Sequence, residues 1–259
     1  MDQWLINDLS NTSMFASESG GTQPRILRRD GMPTIQFGPR DLEILNNPTA
    51  LLNNVCINGG AALLQHLFSA NTLPSAAHSQ RCALLSTFEL VRIRSGVSDD
   101  DLWRNVKGCR YWDKDIWILP IHRPDTRHWV LCCISCMTHE LFLFDSLAAE
   151  HPWQQEIQDV VHLVERLVVL ANRHGHQLHL VSEPWTARPL LVCLLIFKRQ
   201  SLISLQLEVC QTDGHNCGLW VLTCVGAILR GFHRAVAVEQ DMPALRQNLF
   251  RLITSLPTV

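Results

Sequence analysis

The sequence predicts an α+β fold, with strands grouped centrally and helices on both sides. Three observations carry this. Runs of β-forming residues cluster at 115–121, 128–136 and 140–146. An amphipathic stretch from Pro152 to about His174 repeats apolar residues at helical spacing. A nearly all-apolar stretch, LWVLTCVGAIL at 219–229, suits a buried helix. Central strands between helical segments are the signature of two layers packed on one sheet.

Composition narrows the function. The chain has 259 residues, 47% of them hydrophobic, 18% charged, and a net charge of −2. That apolar fraction supports a sizeable core and excludes a disordered chain. A near-neutral balance argues against nucleic acid or an acidic membrane surface as partner, because both attract a basic face. No stretch reaches the ~18 uninterrupted apolar residues of a membrane span. The start, MDQWLINDLS, lacks the basic and apolar blocks of a secretory signal. The ten cysteines are therefore expected to be reduced, in nucleus or cytoplasm. A monomer is expected.

In order along the chain, 10–24 is small and polar and reads as part of a flexible tail, 1–32. The ordered domain is expected from 33 to 259. TIQFG reads as a short strand, followed by DLEIL and the turn signal NNP. Asn54–Phe68 has helical spacing, and Gly59 and Gly60 either weaken that helix or allow close packing. CALLSTFEL, 82–90, reads as one buried strand. Ser98 before three aspartates is a helix start, with acids at the positive end of the dipole. That helix runs to about Gly108. The three central strands follow, with MTH linking the last two as a hairpin. LHLV at 178–181 reads as another strand. A last helix is expected at about 239–254.

The cysteines decide the chemistry. CCISC puts Cys132 and Cys136 on one face of a strand and Cys133 on the other. That alternation spoils a zinc clamp, and no second pair stands at zinc-ribbon spacing, so no metal or other cofactor is expected. His174, His176 and His179 lie at a helix end and read as solvated. Cys217 differs from the rest. It stands at the start of the apolar helix, where the dipole favours a thiolate. A nucleophilic thiol needs a base, and the base needs an orienting group. His128 opens one strand of the hairpin and Asp145 closes the other. A residue sum near 276 would set 131 beside 145, with 128 a little beyond. Gln211, six residues before Cys217, can return a side-chain amide to an oxyanion alongside the Cys217 backbone N–H.

At these residues the sequence resembles the ubiquitin-like-protein-specific cysteine proteases. These are the SUMO-processing and deconjugating enzymes related to the adenovirus-type protease. The matching strings are HW at 128–129, FDS at 144–146 and Q-x5-C-G at 211–218. LLNNVCIN (51–58) and DIWILPI (115–121) add to them, and the similarity covers roughly 35–255. The resemblance implies a papain-like cysteine protease of the SUMO-protease type, with a central mixed sheet flanked by helices. It implies a nucleophile at the N-terminus of a buried helix. In that scheme Cys217 attacks a C-terminal glycine carbonyl, His128 moves the proton and Asp145 orients His128. Gln211 helps hold the oxyanion, Trp129 flanks the diglycine tail, and the partner is a ubiquitin-like modifier or its conjugates.

Two departures stand out. Leu51 occupies the position of the family's tryptophan over the diglycine, and Asn54 that of an aspartate, which weakens the expectation of SUMO itself as substrate. About 190–204 reads as an insertion, because TARP joined to LQLEVCQTDGHNCG would continue the family pattern. Two other readings stay open: a catalytically inactive module that binds such a modifier, and the protease domain of a mobile genetic element.

Overall fold

The computed structural model describes residues 23–26, 34–70, 76–148, 153–178, 184–190, 209–231 and 237–258. Strand β1 (Arg25–Ile26) pairs antiparallel with β2 (Ile35–Gln36). Residues 23–26 fall in the expected tail, yet Pro24 bridges Thr258 and Ile26 is buried in the core. Helices α1 (Pro39–Asn46) and α2 (Asn54–Phe68) follow. α2 starts where Asn53 caps it, its side chain accepting from the Cys56 N–H at 2.9 Å.

A five-stranded sheet forms the centre, in the order β3-β4-β5-β6-β7. Its members are β3 (Cys82–Leu84), β4 (Ile116–Arg123), β5 (His128–Ser135), β6 (Glu140–Phe144) and β7 (Thr186–Pro189). The outer pairings are parallel and the two inner ones antiparallel. The sheet is mixed, as the resemblance implies.

Alternation along these strands divides the core. Ile118, Trp129, Leu131, Cys133 and Phe144 pack with α2, with α7 (Cys217–Leu229) and with α8 (Met242–Thr254). Trp117, Leu119, Val130, Cys132, Ile134 and Leu143 face the other layer. That layer is α4 (Glu89–Arg94), α5 (Asp99–Val106) and α6 (Gln154–Arg173), with the short α3 (Ala76–Ser79) preceding β3. Cys132 and Cys136 therefore lie on one side and Cys133 on the other. α2 and α7 approach closely because α2 carries glycine at the contact. A Cβ on Gly60 would come within 2.9 Å of Leu222 Cδ1, and one on Gly59 within 2.3 Å of Phe37 Cζ.

Several expectations need correction. The run 82–90 is two elements. Its strand stops at Leu84, since Asn58 takes the Thr87 N–H and Ser86 accepts from the Phe88 and Glu89 N–H groups to start α4. The β5–β6 hairpin pairs Leu131 with Phe144, a sum of 275, one less than expected. Its loop is 136–139, closed by His139 in the left-handed region at φ 52°. Both faces of β5 are buried, so hydrophobic alternation could not set this register. β7 was not foreseen in the irregular stretch. The strand expected at 178–181 falls outside the described residues beyond Leu178, as does the insertion at 190–204 beyond Leu190. Among the described residues no helix is long and apolar enough to cross a membrane.

Candidate active site

Three elements deliver the expected residues to one place. Cys217 is the first residue of α7, His128 the first of β5, and Asp145 the residue after β6. Asp145 lies beside the start of β5 because β6 runs antiparallel to it. His128 Nε2 and Asp145 Oδ1 are 2.7 Å apart and both side chains are buried. His128 also hydrogen-bonds Cys217, which leaves Nδ1 as the nitrogen for the thiol. Burial favours a neutral ring. The hydrogen bonds and negative charge of Asp145 and Cys217 outweigh it, and the imidazole is pushed up to about 9. The site thus favours an imidazolium beside the Cys217 sulfur.

Asp145 is fixed from three sides. Oδ1 also accepts from the Leu147 N–H at 3.0 Å, and Oδ2 accepts from Arg123 Nη1 at 2.9 Å. Arg123 is the cross-strand partner of His128 and donates through Nε to Glu156 at 2.7 Å. Reading the sequence missed Arg123. The available signal was an arginine closing a strand that is apolar up to Ile121.

Gln211 is buried on the same side, where its N–H and that of Cys210 donate to the Ser146 carbonyl. Its Oε1 accepts from Ser146 Oγ at 2.6 Å. Its Nε2 donates to the Asp213 carbonyl at 2.7 Å and to Asp213 Oδ1 at 3.1 Å. The amide thus splints the loop before the nucleophile, and donation to an oxyanion requires one N–H to turn from Asp213. Asp213 Oδ1 also accepts from the His215 and Asn216 N–H groups, each at 2.8 Å. Glu239 holds the loop from outside through the N–H groups of Thr212 and Asp213. Arg246, buried on α8, donates to the carbonyls of Ile44, Asn47 and Ala50. It ties the segment before Leu51 to the loop, with Asn216 Oδ1 3.5 Å away. No periodic signal marks Glu239 or Arg246, whose partners are distant in the chain.

Trp129 is 2% exposed, and its Nε1 donates to the Leu52 carbonyl at 2.8 Å. A Cβ on Gly218 would come within 3.0 Å of Leu52 Cβ, so glycine lets this segment pack tightly beside the nucleophile. Segment 51–52 therefore sits between Trp129 and the start of α7. The half-buried Leu51 stands there without an aromatic ring.

Other thiols lie in a different environment. Burial pushes Cys56, Cys82, Cys136 and Cys210 up to about 12, where they stay protonated. Among the described residues, no group of three or more histidine, cysteine or acidic side chains is placed to hold a metal. His174 and His176 stack on Trp103 and Trp112, with ring centroids 4.0 and 3.8 Å apart. These two histidines pack on indoles as well as facing solvent, and His179 lies outside the described residues.

A thiol at a helix start, a histidine hydrogen-bonded to it and a carboxylate behind the histidine, set on a mixed sheet, define a cysteine peptidase. The chain matches the profile of the Ulp1 protease family, C-terminal catalytic domain, over residues 62–257. It belongs to that family. Among solved structures it is similar to the Chaetomium thermophilum Ulp1-like SUMO protease catalytic domain. That match has a TM-score of 0.61 and 21% identity, over 85% of this chain and 79% of that one. A second similar structure is the C-terminal Ulp1 protease domain in complex with Smt3, the yeast ortholog of SUMO. There the TM-score is 0.55 at 15% identity, over 98% and 96% of the two chains. A third, a de-sumoylating protease, has a TM-score of 0.58 at 14% identity, over 90% and 91%. No match was found among curated proteins.

Proposed function

We propose that the protein cleaves the peptide or isopeptide bond after the C-terminal glycine of a ubiquitin-like protein, with Cys217 as nucleophile. The observation that carries this is the hydrogen-bonded line Asp145–His128–Cys217. The sulfur adds to the glycine carbonyl, and the resulting oxyanion lies at the positive start of α7, near the Cys217 N–H. Gln211 is the second donor if one amide hydrogen leaves Asp213. The tetrahedral adduct collapses to a thioester as the imidazolium of His128 gives its proton to the leaving amine. The neutral imidazole then takes a proton from water, whose oxygen attacks the thioester. Collapse of that second adduct expels Cys217 as thiolate beside the imidazolium and frees the carboxylic acid, which gives its remaining proton to solvent. Asp145 holds Nε2 throughout, so Nδ1 stays aimed at the reacting atoms.

Partners named by the similar structures support the substrate class: one holds Smt3, a SUMO ortholog. Trp129 over segment 51–52 is proposed to line the passage for the two glycines. The small side chain of Leu51 widens it relative to an aromatic lid, so modifiers beyond SUMO belong in the test. The test is covalent labelling. Ubiquitin-like proteins carrying a C-terminal electrophile are expected to form an adduct that Cys217→Ser removes. Binding without an adduct for every modifier would instead support the inactive binding module.

A further inference from the structure

We propose that Arg123 is a positioning residue that divides its charge between Asp145 and Glu156, and so sets how tightly Asp145 holds the His128 imidazolium. The inference rests on the triad reading above and deepens it.

The geometry starts with the register. Arg123 and His128 are cross-strand partners at the end of the β4–β5 ribbon, so both side chains reach Asp145 from neighbouring strands. Each takes a different oxygen. His128 Nε2 lies 2.7 Å from Oδ1, and Arg123 Nη1 donates to Oδ2 at 2.9 Å. The guanidinium has a second anion, since its Nε donates to Glu156 at 2.7 Å. Its flat face lies 4.5 Å from the Trp153 ring centroid. Arg123 is 8% exposed and Asp145 1%. In so dry a site these charges are weakly screened, and moving one alters the field at its neighbours.

Consider what this does to His128. A carboxylate shared with an arginine attracts the imidazolium less than an unshared one. Glu156 works in the opposite direction by drawing the arginine's charge outward. It lies in the first turn of α6, where the helix dipole favours an anion. Charged and titratable groups around His128 come from four elements. Arg123 and His122 face it from β4, Asp145 from the end of β6, and Cys217 from α7, while Glu156 on α6 acts through Arg123. His122 is held below its ordinary value by burial and by the charge of His128, so it adds little positive charge of its own. Cys210 lies close to Asp145 but burial keeps it a thiol.

The signs of two substitutions then differ. Arg123→Met keeps the bulk of the stem and removes the charge, so Asp145 acts undivided on His128. Its titration midpoint should rise by about one pH unit. Glu156→Gln leaves Arg123 with Asp145 alone, and the midpoint should fall. Arg123→Lys keeps a charge there and should restore the midpoint most of the way. A residue that merely props Asp145 would behave otherwise. Losing it would loosen Asp145 and lower the midpoint, and Glu156→Gln would lower it as well.

The experiment follows the His128 Cε1–H resonance against pH by NMR, assigned with His128→Gln. All variants are made in a Cys217→Ser background, so that the thiol does not titrate with the ring. Opposite shifts in Arg123→Met and Glu156→Gln are the expected result. Unmoved midpoints, or shifts of the same sign, overturn the proposal. Should Arg123→Met fail to fold, Arg123→Gln, uncharged and still able to donate to Asp145, decides by its sign: a raised midpoint supports the proposal and a lowered or unmoved one overturns it. Labelling of the unmutated protein by modifier probes is run separately. Its failure would refute the protease reading and leave the titration result standing.

Discussion

Consider replacing Asp145 with asparagine. The side chains have the same shape, so packing is retained and the change is one of charge and donor pattern. If the amide oxygen faces His128 Nε2, its NH2 faces Arg123 Nη1, and two donors meet. If the amide turns, its NH2 meets Nε2 and forces the wrong tautomer. Either way the imidazolium loses its anion. His128 then falls from about 9 toward its ordinary 6.5 or below, because burial is the largest influence on it and favours the neutral ring. That interval, at about 1.36 kcal/mol per pH unit, is about 3 kcal/mol. Cys217 supplies part of it, so a loss of about 10²-fold in kcat/KM is the working figure. The assay is hydrolysis of a ubiquitin-like protein with a fluorogenic C-terminal amide, across pH. The alkaline limb, which follows loss of the imidazolium, should move to lower pH. An Asp145→Asn enzyme within about threefold of wild type, with that limb unmoved, would refute the reasoning.

Gln211→Ala should lower kcat by about 10²-fold through the oxyanion donor. It should also cost about 1–3 kcal/mol in urea unfolding, because the Ser146 hydroxyl and Asp213 lose a buried partner. A kcat equal to wild type would confine Gln211 to the loop splint. Gly59→Ala drives a methyl into the buried Phe37 ring and should cost about 1–3 kcal/mol, read as a lower Tm; an unchanged Tm would mean that α2 has room to shift. His128 also links stability to pH. Its folded value, about 9, lies above the ordinary 6.5, so its contribution is complete below pH 6.5 and is lost as pH rises through about 9. Chemical unfolding at about pH 6 and about pH 10 should show a larger drop for wild type than for His128→Gln, and equal drops would count against it.

Much of the fold and the site was legible in the chain. Helix α2 could be read from its spacing, and α5 from Ser98, whose Oγ accepts from the Asp101 N–H; the Asn53 cap of α2 emerged only in the structure. Cys217 stood out because its helix is apolar on every side and has glycines around its start. His128 and Asp145 were recognisable because strands joined by a short hairpin bring the start of one beside the end of the other. The exact pairing was not legible. β5 is buried on both faces, so a shift of one residue costs no visible hydrophobic pattern, and the left-handed turn at His139 set the register.

The sequence by itself determined the layers, the thiol at a helix start and the candidate acid–base pair. These are local matters of periodicity, capping and chain order. Only the tertiary structure decided how Asp145 is shared between His128 and Arg123, that Gln211 is engaged by Ser146 and Asp213, and that Arg246 binds the backbone ahead of Leu51. Those contacts join residues from 2 to 202 positions apart. A buried charge takes whichever partners the packed elements bring to it, and no periodicity along the chain records that choice.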